Sequence, residues 1–369
     1  MIVIISCNHY PDDERIYHKQ IHSLKNKGLK VFYVTRSSTH VNLSDKLITH
    51  KNFSIKIDIN TFISKVIFLL ESIKSINYVQ IHETSLLPLL KKIKRKSPNV
   101  RTIYDVHENM ESLYRTFSNR TKPLKEILIS FRRFKENRHL KYVDQIILAN
   151  PPISHNPYSD SNIPVVVIEN FPKVECLDFS NGNKKKSDNS IIYHGHLAPE
   201  RGIKDLVSAM AHIKSALPDV TLSLIGTFRT HQFKNEITIL IEKLGLTNTI
   251  NIIDQVPHSD IWDIIGKHSV GIIPFQSNPL TQENTPTKLF EMMACGLEVV
   301  VTRLPPAQHF VDDSVHWCKP NDIGSIVKSI IKACSIKDNS KNYLINKKLI
   351  HQQYNWEKRQ DRYVALFNA

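Results

Sequence analysis

Glu283-Asn-Thr-Pro-Thr-Lys-Leu-Phe-Glu-Met-Met-Ala-Cys-Gly-Leu-Glu-Val-Val-Val-Thr302 runs from a polar loop through a helical segment into an apolar strand. Pro286 suits the first turn of a helix, where its missing N–H leaves no hydrogen bond unmade. Glu291 then lies more than a turn inside that helix, and Glu283 sits on the loop before it. One acid from a loop and one from a helix can address a shared ligand. The helix N-terminus between them presents free amides and the positive end of a dipole, a setting for phosphate. Carboxylates for hydroxyls beside amides for phosphate match the chemistry of a nucleotide-sugar.

Outward from this run the chain alternates short β-rich stretches with helical patterns, the mark of parallel sheets built from βαβ units. Ile2–Ser6 reads as a strand, and Asp12 or Asp13 can cap a helix whose Tyr17, Ile21 and Leu24 recur at helical spacing before Gly28. Strands are expected at 31–35, 78–82, 101–107, 145–149 and 165–168, with helices around 84–96 and 111–141. The polar run Ser180-Asn-Gly-Asn-Lys-Lys-Lys-Ser-Asp-Asn-Ser190 is linker-like. A second series follows: a strand at 191–194, a helix from 203 to about 216, a strand at 221–225 and a helix to 244. Strands at 249–252 and 270–274 lead back to the opening run. This organisation predicts an α/β fold with two Rossmann-like domains, 1–170 and 190–350, joined by a linker at 171–189. A C-terminal helix at 351–369, bearing Trp356, Tyr363 and Leu366, is expected to pack back towards the first domain. Ligands of open parallel sheets bind beyond the carboxyl ends of the strands, so a cleft between the halves is the expected site.

Composition narrows the class. At 369 residues, with 41% apolar and 23% charged residues, the chain suits two soluble globular domains. Met1-Ile-Val-Ile-Ile-Ser-Cys7 lacks a basic signal-peptide region, and no apolar run reaches membrane-spanning length, so a cytoplasmic location is expected. The five cysteines, Cys7, Cys176, Cys295, Cys318 and Cys334, are scattered without metal-ligand spacing and read as reduced thiols. The net charge of +14 favours an anionic partner, such as nucleotide phosphate or an anionic membrane face, as well as simple solubility. No nucleic-acid recognition module accompanies that charge, so nucleic acid is not an expected partner. With 10 glycines in all, Gly-rich phosphate loops of the P-loop or dinucleotide type are absent.

The second half opens Tyr193-His-Gly195-His-Leu-Ala-Pro-Glu-Arg201-Gly202-Ile-Lys-Asp-Leu-Val-Ser-Ala209. An arginine at this loop-to-helix junction can fork onto diphosphate oxygens, and Gly202 allows backbone to approach closely. Together with Asn8-His-Tyr-Pro-Asp-Asp-Glu-Arg-Ile16, Tyr104-Asp-Val-His-Glu108 and the Glu283–Thr302 run, it resembles the GT-B glycosyltransferases, specifically the retaining family 4 type that builds bacterial surface polysaccharide. The resemblance spans essentially the whole chain.

It implies a transfer of sugar from a nucleotide-diphosphate sugar to a glycan or lipid-linked glycan, with no cofactor and no metal. Glu283 resembles the acid that contacts donor-sugar hydroxyls, and Glu291 the one that holds the ribose. Arg201 matches the position that grips the diphosphate, with Lys288 beside it; Gly195, His196 and Thr287 complete the phosphate side. His107 resembles the histidine that reaches the transferred sugar, so His107 and Glu283 are the catalytic candidates. Gly226, Thr227 and Val256 resemble the surroundings of the base, and Asp12 and Arg15 are acceptor-side candidates. Two departures stand out. His196 replaces the arginine many relatives carry after the glycine, and Asn8-His-Tyr-Pro replaces a glycine pair.

The chemistry accords with those residues. Breaking the anomeric bond develops negative charge on the departing phosphate, which Arg201, Lys288 and helix amides stabilise without a metal. The adjacent pairs Asp12-Asp13 and Asp312-Asp313 lack the spacing of a metal motif, and most of the eighteen histidines, such as His40 and His351, read as surface or packing residues. Lys91–Lys96 and 122–141, the latter interleaved with Leu124, Ile127, Leu128, Phe131 and Phe134, suit either an anionic membrane surface or an amphipathic helix packed on its own sheet. Two other classes stay open: a nucleotide-sugar epimerase of the same architecture, which acts on donor alone, and a non-catalytic precursor- or membrane-binding protein.

Overall fold

The computed structural model describes residues 1–39, 41–175, 187–336 and 340–368, so His40, Cys176 and most of the polar linker run lie outside it. The chain forms two compact units, Met1–Asn170 with Trp356–Ala369, and Phe171–Asn355. Each is built on a wholly parallel sheet, as the alternating βα pattern requires.

In the first unit the strands are β1 (Ile2–Ser6), β2 (Val31–Ser37), β3 (Ile48–Ser54), β4 (Tyr78–Ile81), β5 (Arg101–Val106), β6 (Gln145–Leu148) and β7 (Val165–Val167), in the order β3-β2-β1-β4-β5-β6-β7. Side chains alternate across the sheet. Val3 and Ile5 join Val79 and Ile81 in one core layer, whereas Ile2 and Ile4 join Tyr78, Ile103 and Ile147 in the other. Both faces being covered, these strands read as apolar runs.

The second layer is closed by the end of the chain. The helix Glu357–Ala365 contributes Tyr363 and Val364, flanked by Trp356 and Phe367, to the cluster around Ile2 and Ile4. The Trp356 indole N–H donates to Ser23 Oγ at 2.9 Å, and the Arg359 guanidinium pairs with Glu169 at 2.7 Å.

In the second unit β8 (Ser190–His194), β9 (Thr221–Ile225), β10 (Ile250–Ile253), β11 (Val270–Ile273), β12 (Glu298–Thr302) and β13 (His316–Cys318) are ordered β10-β9-β8-β11-β12-β13. One core serves this unit. Phe171, within the stretch expected to be linker, is fully buried in it and stacks edge-on to Phe290 with ring centroids 4.6 Å apart.

The order reverses direction between β1 and β4 in the first sheet and between β8 and β11 in the second. At such a switch point neighbouring loops diverge and leave a crevice beyond the carboxyl ends of the strands.

Some expectations need correcting. The helix expected over 111–141 is two, Met110–Phe117 and Lys122–Leu140, because the chain turns extended at Ser118 and Thr121 restarts it with Pro123 in its first turn. The helix expected over 351–369 is shorter, Glu357–Ala365, and residues 351 and 352 end the preceding helix Lys341–Gln352. Pro286 is the residue before the first helical position rather than within the first turn. Of the two aspartates offered as a cap, Asp13 serves, accepting from the Arg15 and Ile16 amides at 2.9 Å each. The turns it caps are π-wound over Glu14–Ile21 before the helix continues as α through His22–Asn26.

Candidate functional site

At the switch point of the second unit, β8 ends at His194 and Gly195 follows it. Gly195 has φ +111°, and a Cβ there would overlap Cε and Nζ of Lys288, so the lysine stem lies directly over glycine backbone. Gly226, after β9, has φ +137°, and a Cβ on it would strike the Gly195 carbonyl. Glycine at both positions lets the two loops stack. They are tied by Gly195 N–H to Ile225 O at 2.8 Å and Leu197 N–H to Thr227 O at 3.0 Å. Gly202, left-handed at φ +70°, abuts the Pro274 carbonyl beyond β11.

These glycines gather the basic groups. Arg201, half-buried, lays its guanidinium carbon 4.5 Å from the centroid of the Phe275 ring, so it is stacked on one face and free to fork at its edge. Lys288 is the second residue of the helix Thr287–Ala294, whose N-cap Pro286 supplies no side-chain acceptor. Burial, aided by the charge of Arg201 and opposed by Glu291, pushes the Lys288 ammonium down to about 8. Burial also lowers His196, with Lys288, Arg201 and Arg229 adding to the effect. Glu200 offsets part of this charge, its Oε1 forming an ion pair with Arg229 at 2.6 Å and lying 3.9 Å from the Arg201 Nε. The result is a crest of four basic side chains at an uncapped helix N-terminus.

The acids sit as a loop-and-helix pair. Glu283 is half-buried on the loop after β11, its amide bonded to Leu280 O at 3.2 Å. Glu291, one turn beyond Lys288, places Oε2 3.4 Å from His194 Nε2. Thr287 opens the helix, half-buried. Thr227 is exposed, its hydroxyl 3.2 Å from Gln255 Oε1, whereas Val256 packs against the unit's core. Sequence reasoning missed His194 and Arg229. The first was signalled only by ending a strand, the second by an arginine three residues after Gly226.

The first unit carries its own polar cluster at the switch point. Glu83, just past β4, accepts with Oε1 from Ser6 Oγ (2.7 Å), the Cys7 and Asn8 amides (2.9 Å each) and His9 Nδ1 (2.9 Å), which wraps the loop after β1 around it. Burial opposes ionisation, yet the hydrogen bond and charge of His9, with His82 and Ser6, hold Glu83 down to about 2. His107, beyond β5, has its side chain 15% exposed and places Nε2 2.9 Å from His82 Nδ1. Burial lowers His107 to about 4 against the pull of Asp105, so it is uncharged at neutral pH.

Arg15 is a correction. Its side chain is 4% exposed, and it spends Nη2 and Nε on Asp105 (2.9 and 3.3 Å) and Nη1 on Ile168 O (2.9 Å). It is a buried structural ion pair, not an open acceptor-side group. Asp12 is exposed next to the capping Asp13.

Among the described residues, His82, Asp105 and His107 bring ligand-type atoms within 4.8 Å of one another. Their electrostatics suit a hydrogen-bond cluster better than an ion. Asp105 already neutralises Arg15 and also accepts from Gln20 Nε2 at 2.5 Å, and the two imidazoles bond one another.

Residues 174–350 match the family model for Glycosyl transferases group 1. No curated relative matches the chain in sequence. Among solved structures it is similar to a sucrose-phosphate synthase from Thermosynechococcus elongatus, at TM-score 0.75 and 15% identity over 100% of this chain and 98% of that one. It is also similar to Anabaena HepE in complex with UDP (0.74, 14%, 100% and 99%) and to a glycosyltransferase from Rickettsia africae (0.68, 14%, 100% and 98%). The fold is thus of the GT-B type, two Rossmann-like α/β domains, and the group 1 domain makes the chain a glycosyltransferase.

Proposed function

We propose that this glycosyltransferase takes its sugar from a nucleotide-diphosphate sugar bound at the switch point of the second unit, with retention of anomeric configuration and without a metal. The observation that carries this reading is the stack of Lys288 over Gly195 beside Arg201 and His196. There an ammonium is held down to about 8 by burial and by a neighbouring guanidinium. A site that crowds cations against its own titration is matched to a multivalent anion, and a diphosphate supplies it. As the anomeric bond breaks, the charge that develops on the leaving phosphate falls on Arg201, Lys288, His196 and the amides of Thr287 and Lys288. Glu291, beside His194, takes the ribose hydroxyls, and Glu283 takes hydroxyls of the sugar; a sugar contact is the role proposed for His107. Thr227 lies on the side of the base.

The structures of Anabaena HepE in complex with UDP, and with UDP and glucose, favour a diphosphate donor for this fold. The acceptor proposed is a glycan or lipid-linked glycan of surface-polysaccharide synthesis (capsule, O-antigen or lipopolysaccharide), handled at the cytoplasmic face of the plasma membrane. Among the described residues no helix is long and apolar enough to cross a membrane. The helix Lys122–Leu140 exposes Ile127 (64%), Phe131 (53%) and Phe134 (60%). Beside it lies a cavity of about 680 Å³ lined by Leu87, Met110 and Tyr142 and by Lys91, Arg132, Lys135, Arg138 and Lys141. Apolar side chains among basic ones suit an anionic lipid surface.

The test is donor turnover with and without acceptor. Release of nucleoside diphosphate that depends on a glycan acceptor supports transfer, whereas conversion of the donor sugar without acceptor would make the chain an epimerase. Co-sedimentation with anionic but not neutral vesicles tests the membrane face.

A further inference from the structure

We infer that a hydrogen-bond chain from the Arg15–Asp105 pair through Gln20, Gln80 and His82 holds His107 as the neutral Nδ1–H tautomer. Gln20, Gln80 and His82 are then positioning residues for a donor at His107 Nδ1. Orientation propagates outward from the ion pair, because which way an amide or imidazole points is settled by its neighbours. Asp105 is fully buried and bound to Arg15, so it is an acceptor only. Gln20 must therefore turn Nε2 toward Asp105 Oδ2, at 2.5 Å, and its Oε1 away. That oxygen faces Gln80 at 2.9 Å, which fixes Nε2 of Gln80 on that side. Gln80 Oε1 accepts from the Tyr363 hydroxyl at 2.9 Å, and the remaining Nε2 hydrogen meets His82 Nε2 at 3.1 Å.

His82 Nε2 is thus an acceptor, and its proton sits on Nδ1. From there it points at His107 Nε2, 2.9 Å away, with Asp105 Oδ2 farther off at 3.4 Å. His107 Nε2 accepts this 2.9 Å bond, the Asp105 carboxylate lying farther from it at 3.5 Å, which leaves its proton on Nδ1. A cationic His107 would set two donors against each other at 2.9 Å. The lowered proton affinity of His107 agrees with this, burial and the His82 and His9 rings outweighing Asp105. Nδ1 has no partner among the described residues, and the side chain is 15% exposed beside the His9 ring, whose centroid is 4.5 Å away. Reversing any link upstream would put carbonyl oxygen against carboxylate, or amide N–H against N–H. A chain of oriented groups of this kind costs little reorganisation when a ligand oxygen arrives.

The catalytic consequence rests on the sugar-contact role proposed above for His107; the tautomer does not. The experiment is 15N NMR of the full chain labelled at histidine, with His107 assigned by its absence in His107→Gln. The expected spectrum has Nδ1 protonated and Nε2 bare, unchanged from pH 5 to 8, while the facing His9 ring responds and the carboxylates of Asp105 and Glu83 stay ionised throughout. A native Nε2–H signal, or a titrating His107, overturns the inference.

Two substitutions act on the link itself. His82→Asp can only accept and drives the proton to His107 Nε2, whereas His82→Asn presents an amide donor and keeps the native tautomer. An unchanged tautomer in a folded His82→Asp also overturns it, and if that variant does not fold, Gln80→Glu reverses the same link. Turnover should follow the tautomer. It should drop about tenfold in His82→Asp, the worth of one ligand hydrogen bond, and recover in His82→Asn. Full turnover by His107→Gln would remove the sugar contact and leave the tautomer standing.

Discussion

Replacing Lys288 by Met separates a ligand-binding lysine from a structural one. The methionine keeps an unbranched stem over Gly195 and deletes the charge. Depression of the ammonium from 10.5 to about 8 means that the folded, ligand-free chain disfavours the charged form. At about 1.36 kcal/mol per pH unit this is at most about 3 kcal/mol, less where solvent reaches the half-buried side chain. The sign follows from proton binding: between about 8 and 10.5 the unfolded chain holds the proton and the folded one does not, so native stability rises with pH across that window. Lys288→Met removes the penalty. The ligand-free variant should therefore melt no lower than the native chain, and a few degrees higher below pH 8.

Binding should move the other way. Losing one charge-assisted hydrogen bond to phosphate costs about 1.5–3 kcal/mol, roughly 10- to 100-fold in affinity. Native affinity should fall as pH rises through about 8, where the free lysine loses its proton, and this slope should vanish in the variant. Calorimetry with a nucleoside diphosphate at pH 7 and 9 reads both effects. A variant that melts several degrees lower yet binds with native affinity would make Lys288 a structural residue and not a ligand-binding one.

Other expectations follow from particular contacts. Gly195→Ala forces a side chain into a left-handed backbone and onto Lys288; it should cost about 1–3 kcal/mol in urea unfolding and weaken diphosphate binding with it. Glu283→Ala should abolish transfer while the melting temperature holds, and retained activity would remove Glu283 from the site. Arg15→Met strands the Asp105 carboxylate without its cation and should cost about 3–5 kcal/mol, where an acceptor-side arginine would change KM and leave stability alone. Glu83, held at about 2, contributes stability that is complete above about 4.5 and lost as pH falls towards 2. Glu83→Gln should lower stability at pH 7 and flatten that acid limb, and an unchanged limb would show that the loop after β1 does not depend on the carboxylate.

The parallel architecture was readable because both faces of each sheet are covered, which turns strands such as Ile2–Ser6 into unbroken apolar runs. The edge strand β3, Ile-Thr-His-Lys-Asn-Phe-Ser, escaped notice since its polar residues face solvent on an unpaired side, and β13 has only three residues. The gap between Met110–Phe117 and Lys122–Leu140 was hidden because the amphipathic pattern continues through it. Lys288 and Glu291 could be read together because one helix turn fixes their spacing, with Glu283 on the loop that leads into that helix. Arg229 and His194 join them from other strand ends, a proximity set by sheet order. Arg15 looked like a loop cation and proved to be the partner of Asp105, ninety positions away. The chain from Gln20 through Gln80 to His82 was invisible for the same reason: its links cross between β4, β5 and a helix.

The central claim, a diphosphate-binding crest on the second unit that serves sugar transfer, is tested most directly by a thermal-shift panel of nucleoside diphosphates against the native chain and Arg201→Ala. One base should raise the melting temperature of the native chain, by linkage of the order of 3 kcal/mol at a hundredfold excess over Kd, and the shift should be lost in the variant. Equal shifts in both proteins, or none from any nucleotide, would mean that Arg201 and its neighbours do not bind a nucleoside diphosphate.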